Sequence, residues 1–346
     1  MIQKKNILLT GAAGSVGIEA CKELCNNTDK YNVRLFEIDT KANQKALKPY
    51  RKHAKIYWGD LRNISTLFEC VNDADVIIHL AAVIPPLADK NTELAYQVNT
   101  KGTENLIKAA KLFAPDAFFL YASSISVYGD RVKTPFINVG DELKPSLGDY
   151  YAETKIMAEE LIQDSGLKWS IFRLAAIFGP KTKMDPLFFH MPLNTSLEIA
   201  TTRDTGYAFI KAIGKLDEIN SSIFNLSGGE TCRINYKTFI DRSFKINGLG
   251  KLDLPENAFA HINFHCGYYA DASKLNDILH FQNDSIEDYF VIMKKHVSLL
   301  SKIITTVFSN KIKNYLLRKS DPYNALKAKN KELINRFFGQ KMVEFS

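Results

Sequence analysis

A glycine-rich run close to the start of the chain constrains the fold more than any other feature. The segment Asn6-Ile7-Leu8-Leu9 leads directly into Thr10-Gly11-Ala12-Ala13-Gly14-Ser15-Val16-Gly17. A run of this kind turns a β-strand into an α-helix whose first N–H groups and dipole face a pyrophosphate, as in dinucleotide-binding α/β folds. The same run also fits a tight turn without a ligand, so its interpretation depends on the rest of the chain.

The first half of the chain alternates short β-branched segments with helical patterns, which predicts βαβ units. The predicted strands are Asn6–Thr10, Val33–Ile38, Lys55–Trp58, Val76–Leu80, Ala117–Ala122 and Ser170–Leu174. Helices are predicted to begin near Ser15, Ile64, Thr92 and Tyr150. We therefore expect an α/β fold with a doubly wound parallel sheet of the Rossmann type over residues 1–178, which a strand at 222–228 rejoins.

The second half is predicted to add a smaller lobe and a tail. Gly/Pro-rich, irregular sequence over 179–221 and 229–290 indicates a discontinuous substrate lobe. Apolar residues then recur at helical spacing from Ile286 to Leu316, which predicts one long amphipathic helix within a tail at 291–346. Residues 294–341 hold twelve Lys/Arg against Asp321 and Glu332, so their net charge is +10, which leaves −3 for the rest of a chain with a net charge of +7.

Three partners are considered for this basic tail. Docking on its own domain or packing in a homodimer is the preferred interpretation, and a peripheral contact with an anionic membrane surface is the alternative. Nucleic acid is not expected, because no known nucleic-acid-binding module surrounds the basic segment.

Size and cysteine usage narrow the class of protein. With 346 residues, 46% of them hydrophobic, the chain can bury a large core, and it has neither a long apolar run nor a signal-peptide pattern. A cytoplasmic location is the expectation. The five cysteines are scattered without metal-ligand spacing, so we predict reduced thiols, no disulfide framework and no metal site.

An acidic residue at the end of the second predicted strand points to the nature of the dinucleotide. Glu37 lies twenty residues after Gly17, where a carboxylate accepts hydrogen bonds from the adenosine ribose hydroxyls and repels a 2′-phosphate. Asp39 competes for this role, because the end of a predicted strand is uncertain by one or two residues. Either residue favours NAD over NADP.

Tyr151 and Lys155 are four residues apart on a predicted helix and can form a proton-transfer pair. An ammonium group about 4 Å from a phenolate, at an effective dielectric of about 20, stabilises the anion by about 4 kcal/mol, which lowers a tyrosine pKa by about three units. A tyrosine in that state is a usable general base or acid. The same spacing also occurs in ordinary amphipathic helices.

Taken together, the motifs identify a family. The residues that carry the resemblance are Thr10-Gly11-x-x-Gly14-x-x-Gly17, Gly59-Asp60-Leu61-Arg62, Asp75–Ala82, Val98-Asn99-x-x-Gly102-Thr103-x-Asn105-Leu106, Ser123-Ser124-x-x-Val127-Tyr128-Gly129 and Tyr151-x-x-x-Lys155. This ordered set resembles the extended short-chain dehydrogenase/reductases, the NAD-dependent epimerase/dehydratase group, over roughly residues 5–290.

The resemblance implies roles for individual residues. Ser124 would hydrogen-bond the reacting oxygen, Tyr151 would move the proton, Lys155 would lower its pKa and bind the nicotinamide ribose, and Asn99 would hold the relay geometry. The implied cofactor contacts are Gly11, Gly14, Ser15, Val16, Gly17, Glu37 or Asp39, Asp60, Leu61, Leu80, Ala81, Ala82, Asn99, Tyr151, Lys155 and Leu174. The implied substrate contacts are Val83, Ser124, Ser126 and Ala176.

The chain also departs from the family pattern. Ile125 stands where nucleotide-sugar 4,6-dehydratases carry an acid for elimination, so we do not expect that reaction. Ala176 and Leu197 stand where sugar epimerases place an asparagine and an arginine on the diphosphate, the latter seven residues ahead of Asp204. Arg203, Arg233 or Lys181 could replace those contacts, although each is more commonly a solvated surface charge.

The sequence leaves the substrate open. We expect hydride transfer at a secondary alcohol carbon of a sugar-like or nucleotide-linked substrate. The apolar segment Val83-Ile84-Pro85-Pro86-Leu87, with Phe188, Phe189 and Met191, would also suit an apolar alcohol at a membrane surface, although packing within the lobe is the preferred interpretation of the aromatic cluster. A non-catalytic NAD sensor or scaffold is the third hypothesis.

Overall fold

The strands and helices of this protein are described from a computed structural model over residues 3–180 and 186–344. The strands are β1 Lys5–Thr10, β2 Tyr31–Glu37, β3 Ala54–Trp58, β4 Val76–His79, β5 Phe118–Ser124, β6 Phe136–Ile137, β7 Lys168–Leu174, β8 Ala176–Phe178, β9 Ser196–Thr201, β10 Ser222–Leu226, β11 Arg233–Asn235 and β12 Tyr268–Tyr269.

The α-helices are most numerous in the C-terminal third of the described chain. They are α1 Ser15–Cys25, α2 Lys41–Leu47, α3 Phe68–Val71, α4 Leu87–Lys90, α5 Thr92–Ala95, α6 Gly102–Phe113, α7 Tyr150–Gln163, α8 Leu187–His190, α9 Thr202–Ala212, α10 Leu216–Ile219, α11 Tyr236–Ile246, α12 Ser273–Leu279, α13 Ile286–His296, α14 Leu299–Val307, α15 Ser309–Arg318, α16 Asp321–Lys327, α17 Lys331–Phe338 and α18 Gln340–Glu344. A π-helix covers Tyr96–Lys101, and 3-10 turns cover Lys48–Tyr50, Ile64–Leu67, Ile125–Tyr128, Glu230–Cys232 and Glu256–Ala258.

Seven strands form one parallel sheet in the spatial order β3-β2-β1-β4-β5-β7-β10. Successive residues of β1 alternate between its faces: Ile7 and Leu9 pack into one apolar layer, and Leu8 packs into the layer opposite. A parallel sheet covered on both faces in this way produces the nearly continuous apolar strands seen in the sequence. The predicted doubly wound α/β fold is confirmed.

Helices cover both faces of the sheet. One layer includes residues of α1, α9 and α12, such as Leu24, Phe209 and Leu275. The other includes residues of α3, α6 and α7, such as Cys70 and Leu106. The chain reverses from strand order 1-2-3 to 4-5-7 between β1 and β4, and the crevice at such a reversal is where open α/β sheets bind ligands.

A separate apolar cluster lies outside the sheet. Residues of β8, β9, α11, α13 and α15 form it, and the buried side chains of Phe189 and Met191 belong to it. Phe188 packs against the same cluster. These aromatic and Met residues are therefore core residues, as the lobe-packing interpretation predicts.

The prediction of one long helix after Ile286 is wrong. Three helices, α13 to α15, replace it between Ile286 and Arg318, and three more, α16 to α18, follow. Ser298 caps α14, Ser320 caps α16 with Pro322 in its first turn, and Asn330 caps α17. Each of these side chains accepts a hydrogen bond from a backbone N–H of the helix that it begins, which favours a new start over continuation. No helix within 3–180 and 186–344 is long and apolar enough to span a bilayer.

Candidate active site

A cleft of about 350 Å³ opens beyond the carboxyl ends of β1, β4, β5 and β7. Eleven of the predicted site residues line it: Gly11, Gly14, Ser15, Val16, Gly17, Leu80, Ala82, Ser124, Tyr151, Lys155 and Leu174. The fold therefore brings the glycine turn and the Tyr151/Lys155 helix, more than 130 residues apart in the chain, to the walls of one cavity.

The glycine turn is packed so closely that side chains are excluded. A Cβ on Gly11, whose φ is +70°, would lie 2.6 Å from the backbone nitrogen of Ala81, and a Cβ on Gly17 would lie 2.1 Å from the carbonyl oxygen of Gly11. Helix α1 begins after Gly14 with no side-chain cap and no acidic residue in its first turn. An uncapped, acid-free helix start on a cavity wall is suited to an anionic group.

Of the two candidate ribose acids, only Glu37 reaches the glycine turn. Its carboxylate accepts hydrogen bonds from the backbone N–H groups of Ala13 at 2.9 Å and Ile38 at 3.0 Å. Asp39 is exposed and accepts instead from the amide of Gln44 in α2 at 2.5 Å. Strand β2 ends at Glu37, so Glu37 is the carboxylate next to the glycine turn, and the assignment of Asp39 to the dinucleotide site stays a prediction.

Tyr151 is the second residue of α7, and its phenol faces the cleft beside Ser124. Burial raises the pKa of Tyr151 above its ordinary value, a hydrogen bond with Ser124 lowers it, and the Asp149 carboxylate raises it. The expectation of a strongly lowered pKa is not met, because the cost of burying a phenolate dominates among the groups of this chain.

Lys155 lies one turn further along α7, and its ammonium group donates hydrogen bonds to groups other than the Tyr151 phenol. Its ammonium Nζ lies 2.8 Å from the carbonyl oxygen of Ala122 and 3.2 Å from the hydroxyl of Tyr121, and it stands 5.7 Å from the ring centroid of Tyr151. Burial lowers the pKa of Lys155 to about 7, although the nearby Glu159 carboxylate raises it.

His79 is buried between the hydroxyls of Thr10 and Thr103. Its pKa is lowered to about 3, mainly by burial and to a smaller extent by the positive charge of Lys155.

The depressed pKa of Lys155 predicts a pH-dependent stability. Between about pH 7 and its ordinary value of 10.5, the unfolded chain binds one more proton at this residue than the folded chain does. The free energy of unfolding should therefore rise with pH across that window, by up to about 1.4 kcal/mol per pH unit from this group, and the rise ends above pH 10.5.

Urea unfolding of wild type and Lys155→Met at several pH values checks this prediction. The free energy of unfolding of the wild type, relative to that of Lys155→Met, should increase with pH. Lys168→Met, at an exposed site, serves as the control. A wild-type/Lys155→Met difference that is constant with pH would contradict the assignment.

Asn99 is buried behind the cleft and connects two of its walls. Its side-chain oxygen accepts from the N–H of Val83 at 2.7 Å, while its amide nitrogen donates to the carbonyl of Val83 at 2.9 Å and to the hydroxyl of Thr154 at 3.0 Å. Thr154 is the residue before Lys155 on α7. Asn99 therefore connects the Val83 segment to the helix that carries Tyr151 and Lys155, and its role in the proton-transfer geometry stays a prediction.

Nine predicted residues do not line this cleft: Glu37, Asp39, Asp60, Leu61, Ala81, Val83, Asn99, Ser126 and Ala176. Asp60 is paired with Arg62 at 2.6 Å, which holds the pKa of that carboxyl below its ordinary value, and Leu61 is buried against α6. Ser126 is buried and donates to the Ser124 hydroxyl at 3.0 Å. Ala176 is partly buried and packs against the lobe core, and its contact with substrate stays a prediction.

The cleft lining also includes several apolar side chains and one histidine. Ile84, Pro85, Ile177 and Leu187 contribute apolar side chains to it. His265 lines the same cleft, and its Nδ1 lies 3.2 Å from the carboxylate of Asp149, the residue that caps α7. No spacing pattern in the sequence relates His265 to Tyr151, so only the folded chain reveals this neighbour. Leu187 and Ala175 were missed for the same reason.

The two arginines considered as substitutes for the missing diphosphate contacts form ion pairs with acidic residues of the chain. Arg203 forms an ion pair with the buried Asp284, and Arg233 forms ion pairs with Glu198 at 2.7 Å and Glu230 at 2.9 Å. Leu197 is fully buried in β9. Lys181 lies outside the described residues. Asp204 is in the first turn of α9, where its carboxylate accepts the backbone N–H groups of Asn283 and Asp284.

A buried ion pair supports the site from below. Arg173 in β7 and Glu159 in α7 meet at 2.7 Å, and the side chains of both are almost fully buried. Glu159 also accepts from the Ser123 hydroxyl at 2.5 Å, and Arg173 donates to the Tyr128 hydroxyl at 2.9 Å. This network joins β5, β7 and α7 directly beneath Ser124 and Lys155. Within 3–180 and 186–344, no group of three or more His, Cys, Asp or Glu side chains is placed to hold a metal ion.

Comparison with protein families gives a match over most of the sheet. Residues 8–195 match the sequence model of the 3-beta hydroxysteroid dehydrogenase/isomerase family. A sterol-4-alpha-carboxylate 3-dehydrogenase (decarboxylating) of Schizosaccharomyces pombe is 29% identical over 181 residues, which is 51% of this chain and 51% of that protein. The chain thus spans about half the length of that relative. An uncharacterized protein of Methanocaldococcus jannaschii is 29% identical over 263 residues, 67% of this chain and 78% of that protein.

Solved structures share the fold at lower identity. The UDP-glucuronic acid 4-epimerase of Bacillus cereus, in complex with UDP-glucuronic acid and NAD, superposes with a TM-score of 0.68 and 21% identity over 85% of this chain and 99% of that one. A dTDP-glucose 4,6-dehydratase of Streptomyces venezuelae with NAD bound has a TM-score of 0.67 and 19% identity over 84% of this chain and 95% of that one.

Proposed function

The chain belongs to the 3-beta hydroxysteroid dehydrogenase/isomerase family, and from this premise we propose that it is an NAD-dependent oxidoreductase. The reaction is hydride transfer at a secondary alcohol carbon of a small-molecule substrate. The observation that carries the proposal is the meeting of Ser124, Tyr151 and Lys155 with the uncapped glycine turn in one cleft.

The residues of the cleft fit a dinucleotide. The close-packed glycines Gly11 and Gly17 leave room above the turn, the first N–H groups of α1 suit the pyrophosphate, and Glu37 stands at the end of the neighbouring strand. Its negative charge disfavours a 2′-phosphate, which supports NAD over NADP. NAD is present in several solved structures of similar fold. When bound, the nicotinamide ring supplies the acceptor and donor of hydride.

Residues of the chain bind the reacting oxygen of the substrate and transfer its proton. Ser124 hydrogen-bonds the reacting oxygen, and Tyr151 exchanges the proton with it while the carbon–hydrogen bond of the carbinol breaks. Burial raises the pKa of Tyr151, which favours the neutral phenol, the form that gives its proton to the oxygen when a ketone is reduced. In the reverse direction, the phenolate of the same residue takes the hydroxyl proton while hydride leaves the carbinol carbon. Lys155 stands one helical turn from the phenol, and burial lowers its pKa to about 7.

Two substrate classes follow from the wall residues. A sugar-like or nucleotide-linked alcohol agrees with the known ligands of the solved structures of similar fold. An apolar ring alcohol is the second candidate, because Ile84, Pro85, Ile177 and Leu187 line the cleft and Arg203 and Arg233 are occupied by ion pairs. The dehydrogenase from Schizosaccharomyces pombe, named for a sterol substrate, supports this second class. Ile125 is buried and supplies no acid, which argues against 4,6-dehydration.

The test begins with calorimetric titration of the full chain with NAD and NADP. We expect NAD to bind more tightly, and Gly17→Ala to weaken binding by about tenfold or more, because the added methyl group collides with the carbonyl of Gly11. Gly140→Ala is the control, since a Cβ there meets nothing within 4 Å. Failure of the folded wild-type chain to bind either dinucleotide would overturn the proposal.

Turnover then separates the reaction classes. Nucleotide sugars and apolar ring alcohols are offered with NAD, and both NADH and organic product are followed. Accumulating NADH identifies a dehydrogenase, whereas an epimeric product without net NADH identifies an epimerase. A chain that binds NAD and turns over no alcohol of either class would favour the sensor hypothesis instead.

A further inference from the structure

Helix α14, Leu299–Val307, presents apolar side chains to solvent. None of its residues is buried, and its large side chains are among the most exposed in the described chain. Their exposed fractions are Leu299 76%, Val307 71%, Leu300 69%, Ile303 52% and Ile304 49%. Phe308, which follows the helix, is 46% exposed. Contiguous apolar surface of this kind generally marks an interaction site.

The apolar residues occupy a single face of the helix. At about 100° per residue, Leu299, Ile303, Val307, Leu300 and Ile304 fall within an arc of about 140°, and Ser301, Lys302, Thr305 and Thr306 fill the remainder. A surface helix of a water-soluble domain turns its apolar face to the core. Helix α14 has the opposite orientation.

The protein body holds α14 by its polar face. Gly248, with φ +85°, packs so closely that a Cβ there would lie 2.7 Å from the carbonyl oxygen of Lys302 and 2.8 Å from the hydroxyl of Thr306. Thr305 is the least exposed residue of the helix. The apolar face is therefore directed outward by tertiary packing.

Both neighbouring helices are anchored. Met293 of α13 and Leu316 of α15 are buried in the lobe core, and the Lys313 ammonium of α15 binds the carbonyl of Lys251 at 3.0 Å and the carboxylate of Asp253 at 2.7 Å. With both ends fixed in this way, α14 cannot turn its apolar face inward without unpacking its neighbours.

The chain segment that contains α14 carries charges of one sign. Residues 289–320 contain seven Lys/Arg and no Asp or Glu. Exposed lysines flank α14 in sequence on both sides, at Lys294, Lys295, Lys311 and Lys319. The Nζ atom of Lys311 lies 5.6 Å from the ring centroid of Phe308, and that of Lys319 lies 4.6 Å from the ring centroid of Tyr315. Aromatic rings and ammonium groups therefore lie side by side on this surface.

We propose that α14 is a peripheral membrane anchor whose apolar face inserts into the interfacial region of an anionic bilayer, with the surrounding lysines on lipid phosphates or carboxylates. A basic amphipathic helix lying in the membrane plane has this arrangement of charge and apolar surface. The helix is about 13 Å long, too short to cross the roughly 30 Å hydrocarbon core. A second copy of the chain is disfavoured as occupant, because pairing these faces would bring lysine-rich, acid-free segments together.

The test is flotation of the full chain with vesicles of phosphatidylcholine alone and with added phosphatidylserine. We expect binding to the anionic vesicles, at least tenfold weaker binding to the neutral ones, and loss on raising the salt concentration. The variant Leu299→Glu/Ile303→Glu should lower binding to anionic vesicles at least tenfold. Leu112→Glu/Leu147→Glu introduces the same charges at exposed leucines outside the tail and should bind as wild type.

Circular dichroism and melting of each variant establish that the fold is retained, and light scattering reports the mass in solution. Absence of wild-type binding to anionic vesicles would overturn the proposal. Equal loss in both double variants would do so as well, since general charge would then explain it. A dimer that Leu299→Glu/Ile303→Glu dissociates, without vesicle binding by the wild type, would assign α14 to self-association instead. None of these readouts requires NAD or turnover, so the outcome is independent of the proposed function.

Discussion

Replacing Tyr151 by phenylalanine is expected to lower kcat about 10²- to 10⁴-fold, the range that a positioned proton donor contributes. The substitution removes only the hydroxyl that faces Ser124 in the cleft. Because the ring remains, the cavity keeps its shape, and dinucleotide binding should change little. Steady-state turnover with the substrate class identified above, together with calorimetric binding of NAD, measures the two quantities separately.

The neighbouring residue offers a matched control for this experiment. Tyr150 is exposed and begins the same helix, so Tyr150→Phe deletes a hydroxyl of the same kind without altering the cleft. Its kcat should stay within about twofold of wild type. Full turnover by Tyr151→Phe would remove the phenol from the mechanism, and a parallel loss of NAD binding would indicate a structural role.

The second large effect concerns stability. Glu159→Gln should lower the free energy of unfolding by about 3–5 kcal/mol, because it leaves the buried guanidinium of Arg173 without a compensating charge. The glutamine retains an oxygen that can accept from Ser123, so the loss reports mainly the missing charge. Urea unfolding followed by circular dichroism measures it, and the exposed Glu160→Gln serves as the adjacent control with an expected change below about 0.5 kcal/mol.

A double variant separates charge from packing. In Glu159→Leu/Arg173→Met both charges are gone, and apolar replacements of buried ion pairs are often neutral or stabilising. The double variant should therefore be more stable than Glu159→Gln. If Glu159→Gln unfolds like Glu160→Gln, the pair contributes little, and its role beneath Ser123 and Lys155 would have to be one of orientation alone.

Most of the sheet can be predicted from the sequence, because local patterns of apolar residues determine where its strands lie. Strand β1 is apolar on both faces, and the pattern places the start of α7 at Tyr150 and the start of β10 at Ser222, where they occur, although β10 ends two residues before the predicted end. The predicted strand edges that differ from the structure do so by one or two residues, as at Leu80, which lies just outside β4. Packing against neighbours decides where a strand ends, and a single segment does not contain that information.

The site was accessible only in part. The glycine turn and Tyr151/Lys155 are motifs whose spacing carries their chemistry, so both were identified. The raised pKa of Tyr151 is not contained in that spacing, because the energetic cost of burying the phenolate depends on everything packed around it. His265 was missed since its only relation to Tyr151 is spatial, through Asp149. The tail forms several short helices, because capping by Ser298 and Ser320 competes with its apolar periodicity.

The amide of Asn99 imitates a peptide group. By exchanging both a donor and an acceptor with Val83, it reproduces the hydrogen-bonding of an adjacent β-strand where no strand is present, and its second amide hydrogen serves Thr154. Three of its four hydrogen-bonding positions are thereby used by fixed partners. An aspartate side chain has the same length but no N–H group to donate. A glutamine side chain has both groups but is one methylene longer. Neither residue can therefore make the same hydrogen bonds to Val83 and Thr154.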